Sequence, residues 1–271
     1  MTETMVPSRS LSVLGVNVSS FESYEHAVQH VGQRLAARAK TFCVAINPEK
    51  VYNARQDRQL EALLNGTDMK ICDGIGVSLA AGLLHGKRIR RCCGVDLFLA
   101  LIAEAAKQSW KVFLYGAKPE SNEGAYRKLK EKHPCLNIVG RCDGYEKDMA
   151  KVRDQINASG AELVFVAMGS PRQEYWIADN KDKVNASFLM GVGGSFDVLS
   201  GTAKRAPWLF RKTGTEFFYR LLSNPRRWRR QMALPKFVWE VLKEKVHPAK
   251  RPALPQDQDQ ILENILSPRA K

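Results

Sequence analysis

Two polar residues, Asp73 and Asn47, each follow a short apolar run and precede a helical pattern. An aspartate in that position can act as a general base, because its carboxylate can take a proton from a hydroxyl group. An asparagine there can hold a ligand hydroxyl. Each residue can instead cap the helix that follows it, and Pro48 suits the first turn of such a helix. Composition alone favours the cap in both cases, so both interpretations stay open.

Two glycine-containing segments follow later apolar runs and add further candidate ligand-binding residues. Gly169-Ser-Pro-Arg-Gln-Glu174 resembles a turn in which backbone N–H groups face a phosphate, although an ordinary strand–helix loop reads the same way. It lacks the Gly-Lys-Ser/Thr ending of a Walker motif. Gly191-Val-Gly-Gly-Ser-Phe-Asp197 lacks the third glycine of a dinucleotide fingerprint, so no dinucleotide site is predicted. Small molecules bind where strands give way to such turns, which makes Gln173, Glu174 and Asp197 candidates.

Cationic residues are concentrated towards the C-terminus. Between residues 204 and 250 there are thirteen Lys and Arg against three acidic residues, which accounts for most of the net charge of +14. Four arginines surround Trp228 between Arg226 and Arg230. Arginine binds phosphate in a bidentate manner, and tryptophan suits the headgroup level of a membrane. A solvated helix face or a nucleic-acid site could carry such charge, but no helix-turn-helix, RRM or zinc-finger pattern accompanies it. Contact with an anionic membrane surface is therefore the preferred interpretation.

No metal or cofactor is predicted. His26 and His30 have the spacing of zinc ligands on a helix, but no third ligand is evident, so a helix face is favoured. Asp257-Gln-Asp259 lies in the Pro- and Gln-rich tail and is not interpreted as a metal–nucleotide site. The six cysteines form no Cys-x-x-Cys pair, which indicates buried, reduced thiols.

Strands and helices alternate through the body, which predicts βαβ units and a mostly parallel, Rossmann-like sheet with flanking helices. A basic helical appendage follows, and the predicted boundaries are residues 1–202 for the glycine-turn-bearing body, 203–247 for the appendage and 248–271 for a disordered tail. No signal peptide or membrane span is expected. The predicted strands cover residues 13–18, 41–46, 111–115, 137–140, 163–168 and 187–192. The predicted helices cover residues 24–39, 49–64, 74–84, 96–108, 120–131, 148–158, 173–180, 215–222 and 227–245.

Taken together, the motifs resemble those of the WecG/TagA/CpsF family of bacterial glycosyltransferases over roughly residues 11–246. Eight landmarks in the same order make the resemblance specific, whereas one alone would be weak. In this sequence they are Ala45-Ile-Asn-Pro-Glu-Lys50, Asp73-Gly74, Arg91 with Gly94-Val-Asp96, Gly140 to Tyr145, Gly169 to Glu174, Gly191 to Asp197, Arg205-Ala-Pro207, and the arginines at 220, 227 and 230.

The resemblance implies a reaction and a role for individual residues. Family members transfer a sugar, with inversion, from a UDP donor to a polyprenyl-diphosphate-linked sugar. Asp73 would be the base that deprotonates the acceptor hydroxyl, consistent with a single displacement. Arg220, Arg227 and Arg230 would cover the diphosphate in place of a metal. The resemblance further implies that other landmark residues bind substrate; these are Asn47, Arg91, Gln173, Glu174, Asp197 and Arg205.

One departure from the family pattern bears on the donor. Ala45 stands where aminosugar-transferring wall teichoic acid members often carry Thr, and the sequence looks closer to the N-acetylmannosaminuronate transferases. The predicted function is therefore inverting transfer of N-acetylmannosaminuronic acid or N-acetylmannosamine from UDP in surface polysaccharide biosynthesis.

Two alternatives to this function stay open. One is glucosyl or glucuronosyl transfer to a lipid-linked sugar in exopolysaccharide assembly, and the other is a basic nucleic-acid-binding module. The preferred function implies that nucleic acid is not a partner. It is compatible with a homo-oligomer. It also implies a cytoplasmic protein, peripheral on the inner face of the cytoplasmic membrane.

Overall fold

A computed structural model of the chain describes residues 9–223 and 228–248. Its centre is an eight-stranded sheet with the strand order β1-β2-β4-β3-β8-β7-β5-β6. Only the β1–β2 pair is antiparallel, and the other neighbours run parallel. The strands are β1 (Arg9–Val13), β2 (Val16–Ser20), β3 (Thr41–Ile46), β4 (Met69–Cys72), β5 (Val112–Gly116), β6 (Ile138–Cys142), β7 (Leu163–Ala167) and β8 (Phe188–Gly191).

Helices connect the parallel strands and cover both faces of the sheet, which confirms the Rossmann-like prediction. They are α1 (Tyr24–Ala36), α2 (Pro48–Gln56), α3 (Arg58–Asn65), α4 (Ile75–His85), α5 (Gly94–Gln108), α6 (Pro119–Lys132), α7 (Met149–Ser159), α8 (Arg172–Asn180), α9 (Ser195–Ser200), α10 (Trp208–Thr213), α11 (Glu216–Ser223), α12 (Trp228–Gln231) and α13 (Ala233–Val246).

The central strands are apolar on both faces because helices cover both. In β3 and β7 every residue is buried. Alternate side chains of β3 enter different core clusters: Val44 and Ile46 lie in one, and Cys43 and Ala45 in the other. This follows from the two-residue repeat of a strand. A continuous apolar run therefore indicates a strand covered on both faces.

The prediction of one continuous strand over residues 13–18 is wrong at residues 14 and 15, which form the turn of a hairpin between β1 and β2, whereas residues 16–18 do lie in a strand. Val13 pairs with Val16 across the turn. The two turn residues, Leu14 and Gly15, have φ angles of 52° and 93°. A positive φ at both positions matches the twist of a two-residue hairpin, but leucine rarely adopts it, so the turn is hard to predict from these residues.

The predicted helix over residues 49–64 is two helices, α2 and α3, which meet at Asp57. The Asp57 carboxylate accepts hydrogen bonds from the N–H groups of Gln59 (2.9 Å) and Leu60 (3.3 Å) and so caps α3. Asp57 has the extended backbone of an N-cap, with φ −132° and ψ 103°. The break is a local capping effect within a continuous helical pattern.

The C-terminal segment packs against the body through α13. Phe237 and Val241 are buried in the core cluster on that side of the sheet. Arg55 of α2 forms ion pairs with Glu240 (2.7 Å) and Glu244 (3.4 Å) of α13. The helix predicted over residues 227–245 is instead α12 and α13, and residue 227 lies outside the described residues. The predicted boundary at residue 203 stays a prediction.

Across residues 9–223 and 228–248, every helix is too short or too polar to cross a bilayer. Most of the predicted tail, residues 249–271, lies outside the described part of the chain.

Candidate active site

Asp73 lies directly after β4, at the carboxyl edge of the sheet. Its backbone N–H donates to the carbonyl oxygen of Ile46 at the end of β3 (2.8 Å). The capping interpretation of Asp73 is wrong, because Gly74 is the N-cap of α4 and no side chain caps that helix. A Cβ atom on Gly94 would lie 3.8 Å from Asp73 Oδ2 and 3.0 Å from the Cβ of Ala45. The half-buried carboxylate thus lies where β3, β4 and α5 meet, and no other described residue hydrogen-bonds or ion-pairs with it.

Asn47 follows β3 at the same edge, next to Asp73 in the sheet order. Its Oδ1 atom accepts a hydrogen bond from the N–H of Lys50 (2.9 Å), and α2 begins at Pro48. The capping interpretation of Asn47 is therefore confirmed. Because the cap uses only the oxygen, the amide nitrogen is the part of Asn47 that can contact a ligand.

Lys50 is a buried residue that the sequence reasoning did not single out. Its Nζ atom lies 2.8 Å from Glu174 Oε1 and donates to the carbonyl oxygen of Ala45 (2.8 Å). The side chains of Lys50 and Glu174 are only 5% and 1% exposed. A cation in the first turn of a helix opposes the helix dipole, so its place next to Asn47 is the signal that could have revealed a buried partner.

Gln173 joins this ion pair to the turn after β8. Its Nε2 donates to Glu174 Oε1 (3.0 Å), and its Oε1 accepts from the N–H of Gly193 (2.9 Å). A Cβ atom on Gly191 would lie 2.5 Å from the Gln173 nitrogen, so a side chain at this position would displace the Gln173 amide. Both predicted ligand-binding residues, Gln173 and Glu174, therefore have partners inside the protein.

The Glu174 carboxylate is ionised despite its burial. Burial raises its pKa, but the charge of Lys50 and the hydrogen bonds from Lys50 and Gln173 bring the pKa below its ordinary value. Its second oxygen, Oε2, is buried and has no hydrogen-bond partner in the described part of the chain. Leaving a buried carboxylate oxygen without a donor carries a free-energy cost.

Two turns beside Gln173 border open space. Gly169 has φ +74° and Gly193 has φ +53°, and a Cβ atom on either would meet nothing within 4 Å. The Gly169 turn contains a cis Ser170-Pro171 peptide bond and leads into α8. The phosphate-binding interpretation of this turn stays a prediction.

Asp197 and Arg205 lie on the same side of the sheet but are held by different elements. Asp197 is in the first turn of α9, and its Oδ2 would lie 3.6 Å from a Cβ atom on Gly194. The Arg205 guanidinium forms an ion pair with Asp96 in the first turn of α5. Asp96 was a landmark of the sequence but not one of the predicted site residues.

Arg91 connects the body to the C-terminal segment. Its guanidinium donates to the carbonyl oxygen of Arg211 near the end of α10 (2.5 Å). A Cβ atom on Gly214 would lie 2.7 Å from Arg91 Nη1, so α10 and the following turn pack closely on this side chain. Arg91 therefore links the edge that carries Asp73 to the appendage.

The remaining predicted arginines are only partly described. Arg220 belongs to α11 and Arg230 to α12 by their backbones. The side chains of both, and the whole of Arg227, lie outside the described residues. Their predicted contact with a diphosphate stays a prediction.

Comparison with known proteins shows to which family this chain belongs. Residues 11–251 match the glycosyl transferase WecG/TagA/CpsF family. The chain belongs to this family. It is 37% identical over 254 residues to the N-acetylglucosaminyldiphosphoundecaprenol N-acetyl-beta-D-mannosaminyltransferase of Bacillus spizizenii (strain W23), covering 94% of this chain and 97% of the relative. It is 36% identical over 244 residues to the protein of the same name from Bacillus subtilis (strain 168), covering 90% and 92%.

The family membership and the relatives' names confirm that the protein is a glycosyltransferase. The binding-module alternative is not favoured, because residues 11–251, which include the basic segment up to Lys250, match a glycosyltransferase family. The roles of individual site residues stay predictions.

Three cysteines of this glycosyltransferase lie around Asp73. Burial, followed by the negative charge of Asp73, raises the pKa of Cys72 and of Cys92 to about 12 and raises that of Cys93 as well. A thiol with a raised pKa is a poor nucleophile at neutral pH, so these residues are inert packing groups. The prediction of buried thiols is confirmed for Cys72, Cys92, Cys93 and Cys43 but is wrong for Cys135, which is exposed, and holds only in part for the half-buried Cys142.

Among the described residues, no group of three or more His, Cys, Asp or Glu side chains is arranged to hold a metal ion. The metal-independent reaction stays a prediction.

Proposed function

We propose that the protein transfers N-acetylmannosamine from a UDP donor to N-acetylglucosaminyl-diphospho-undecaprenol, with inversion at the anomeric carbon. The observation that carries this proposal is the likeness along nearly the whole chain to two enzymes named for this transfer. Neither relative is named for glucosyl, glucuronosyl or mannosaminuronosyl transfer, so N-acetylmannosamine is the preferred donor sugar. Ala45 is the residue that most directly bears on this choice.

Asp73 is the proposed general base. An inverting displacement needs one carboxylate on the face of the sugar opposite the leaving group, where it takes the proton of the attacking hydroxyl. Asp73 fits because its carboxylate neither caps α4 nor pairs with another described residue. A base that is committed to a structural hydrogen bond would be weaker and worse placed.

Cationic groups are proposed to stabilise the UDP that leaves. Charge accumulates on the diphosphate in the transition state, and guanidinium groups stabilise it by bidentate hydrogen bonds. Arg220, Arg227 and Arg230 are the proposed groups, supported by their order in the sequence. Asn47, Arg91, Asp197 and Arg205 are proposed to line the substrate pocket around Asp73.

The C-terminal helices are proposed to bring the site to an anionic membrane surface, where the lipid-linked acceptor resides. Three tryptophans on separate helices are strongly exposed: Trp208 by 62%, Trp228 by 55% and Trp239 by 59%. Lys212 lies 4.8 Å from the Trp208 ring and Lys243 lies 5.4 Å from the Trp239 ring. Aromatic rings beside lysines are typical of the membrane interface.

Acceptor-dependent release of UDP tests the proposal. The purified enzyme is given UDP-N-acetylmannosamine with and without a short-chain polyprenyl-diphosphate N-acetylglucosamine. We expect UDP release to depend on the acceptor and the product to carry both sugars. Release at the same rate without acceptor, or no release with it, would contradict the proposed function.

A further inference from the structure

Stability alone does not explain why Lys50 and Glu174 form a buried ion pair. Removing two charges from water carries a large desolvation penalty, and replacing such a pair by apolar groups of similar size is often neutral or stabilising. Both side chains are almost completely buried. Glu174 Oε2 in addition has no hydrogen-bond partner in the described part of the chain. A contact that served stability alone would not need these features.

The pair is part of one chain of hydrogen bonds across three neighbouring strands, β3, β8 and β7. Lys50 contacts the carbonyl oxygen of Ala45 in β3 and the carboxylate of Glu174, in the first turn of α8 after β7. Gln173 then connects Glu174 to the N–H of Gly193 after β8. These contacts fix the spacing of three loops at the carboxyl edge of the sheet.

We infer that the Lys50–Glu174 pair is a positioning device, which acts through Gln173 to hold the Gly193 turn beside the Gly169 turn for binding the diphosphate of the nucleotide donor. This inference rests on the proposed function. Glycine-rich turns with open space in front of them suit a diphosphate, because their backbone can approach it closely. Lys50 and Glu174 are almost completely buried and connect to the Gly193 turn by way of Gln173, so they act through Gln173 rather than by touching the donor. In this arrangement Glu174 supports the binding site and is not itself a ligand of the donor.

Two double variants separate positioning from charge. Lys50→Met with Glu174→Met removes both charges and also the oxygen that accepts from Gln173. Lys50→Met with Glu174→Gln removes the same charges but keeps an amide oxygen for Gln173. Both are expected to fold, because no buried charge is left without a partner.

UDP affinity in the absence of acceptor, measured by titration calorimetry, is the direct readout. We expect the Met/Met variant to bind UDP about tenfold more weakly, because the turns lose their preorganisation. The Met/Gln variant is expected to recover to within about threefold of the wild type. The KM for the UDP-sugar should follow the same order, while the KM for the acceptor stays nearly constant. A role in stability alone predicts no difference between the two variants.

The matched control is Asp68→Asn, which lies at the opposite end of β3 from the site. Asp68 pairs with Arg34 (3.3 Å) and accepts from the N–H of Phe42 at the start of the strand (2.8 Å). Its substitution should lower the unfolding temperature and leave UDP affinity unchanged. This control separates a general loss of stability from a local loss of position.

Equal UDP affinity of the two double variants, whether at the wild-type value or below it, would overturn the inference. If the Met/Met variant does not fold, Gln173→Met replaces it, and wild-type UDP affinity of that variant overturns the inference as well. A wild type that neither binds nor releases UDP overturns the proposed function together with the inference. A wild type that turns over the donor, with indistinguishable double variants, overturns the inference alone.

Discussion

At the scale of single residues, Asp73 has the most direct bearing on the reaction. We expect Asp73→Asn to lower the rate of sugar transfer by about a hundredfold or more, because the amide cannot accept the proton of the attacking hydroxyl. Acceptor-dependent UDP release measures this. Thermal unfolding is the control and should be little changed, because no other described residue pairs with the carboxylate. Transfer within a few fold of the wild-type rate would remove Asp73 from its role.

Thiol chemistry provides a second prediction at this scale. The pKa values of Cys72 and Cys92 are raised to about 12, so almost none of either thiol is ionised at pH 8. Brief treatment with iodoacetamide should therefore label the exposed Cys135 and leave sugar transfer intact. Peptide mass spectrometry identifies the labelled residue. Rapid labelling of Cys72, with loss of transfer, would show that the thiols around Asp73 are accessible and reactive.

The sequence was sufficient to find residues that follow strands but not those that are buried beneath them. Asp73 and Asn47 could be found because a polar residue after an apolar run marks the carboxyl edge of a sheet. Lys50 was missed because its unfavourable place in the first turn of α2 indicates an acidic partner but shows neither which residue that partner is nor that the pair is buried. Its partner, Glu174, lies far away in the chain and meets it only through the pairing of β3, β8 and β7.

At the scale of elements, one face of α13 packs against the core and the other face is exposed. Phe237 is 2% exposed and packs in the core, whereas Trp239 is 59% exposed. We expect Phe237→Ala to destabilise the protein by about 3–5 kcal/mol, the usual cost of removing a buried phenylalanine. Trp239→Ala should change stability by less than about 0.5 kcal/mol. Urea unfolding of both variants checks this, and a large loss in Trp239→Ala would contradict the assigned faces.

The exposed face of α13 leads to a prediction about membranes. Trp239→Ala should weaken binding to anionic vesicles at least about threefold, because it removes an aromatic ring suited to the headgroup level. Tyr145→Ala is the control, since Tyr145 is 64% exposed on the loop after β6. Co-sedimentation with vesicles measures both. Equal sedimentation of Trp239→Ala and the wild type would contradict membrane contact through α13. Substitution is a sharper test than truncation, because deleting α13 would also remove its buried residues from the core.

Most elements could be predicted from the alternation of apolar strands and amphipathic helices, and the errors have local causes. The β1–β2 hairpin was missed because Leu14 occupies a conformation that favours glycine. The break between α2 and α3 was missed because Asp57 caps a helix inside an otherwise continuous pattern. The docking of α13 depends on Arg55 and Glu240, whose pairing spans most of the chain and has no local signature.

At the scale of the whole molecule, two features of the sequence predict a reaction without a metal. The C-terminal segment is strongly basic, and an Asp-x-Asp motif occurs only in the predicted tail. Arginines of the basic segment would neutralise the leaving diphosphate instead. We expect full sugar transfer in excess EDTA, measured by UDP release. Loss of transfer that Mg²⁺ or Mn²⁺ restores would show that a metal ion takes part.

The central claim is tested most directly by competition among donors. The enzyme is given equal amounts of UDP-N-acetylmannosamine, UDP-N-acetylmannosaminuronic acid, UDP-N-acetylglucosamine and UDP-glucose with one polyprenyl-diphosphate N-acetylglucosamine acceptor. Mass spectrometry and chromatography of the lipid product identify the sugar that is added. The account predicts that N-acetylmannosamine dominates the product. A product dominated by any other sugar, or by none, would contradict it.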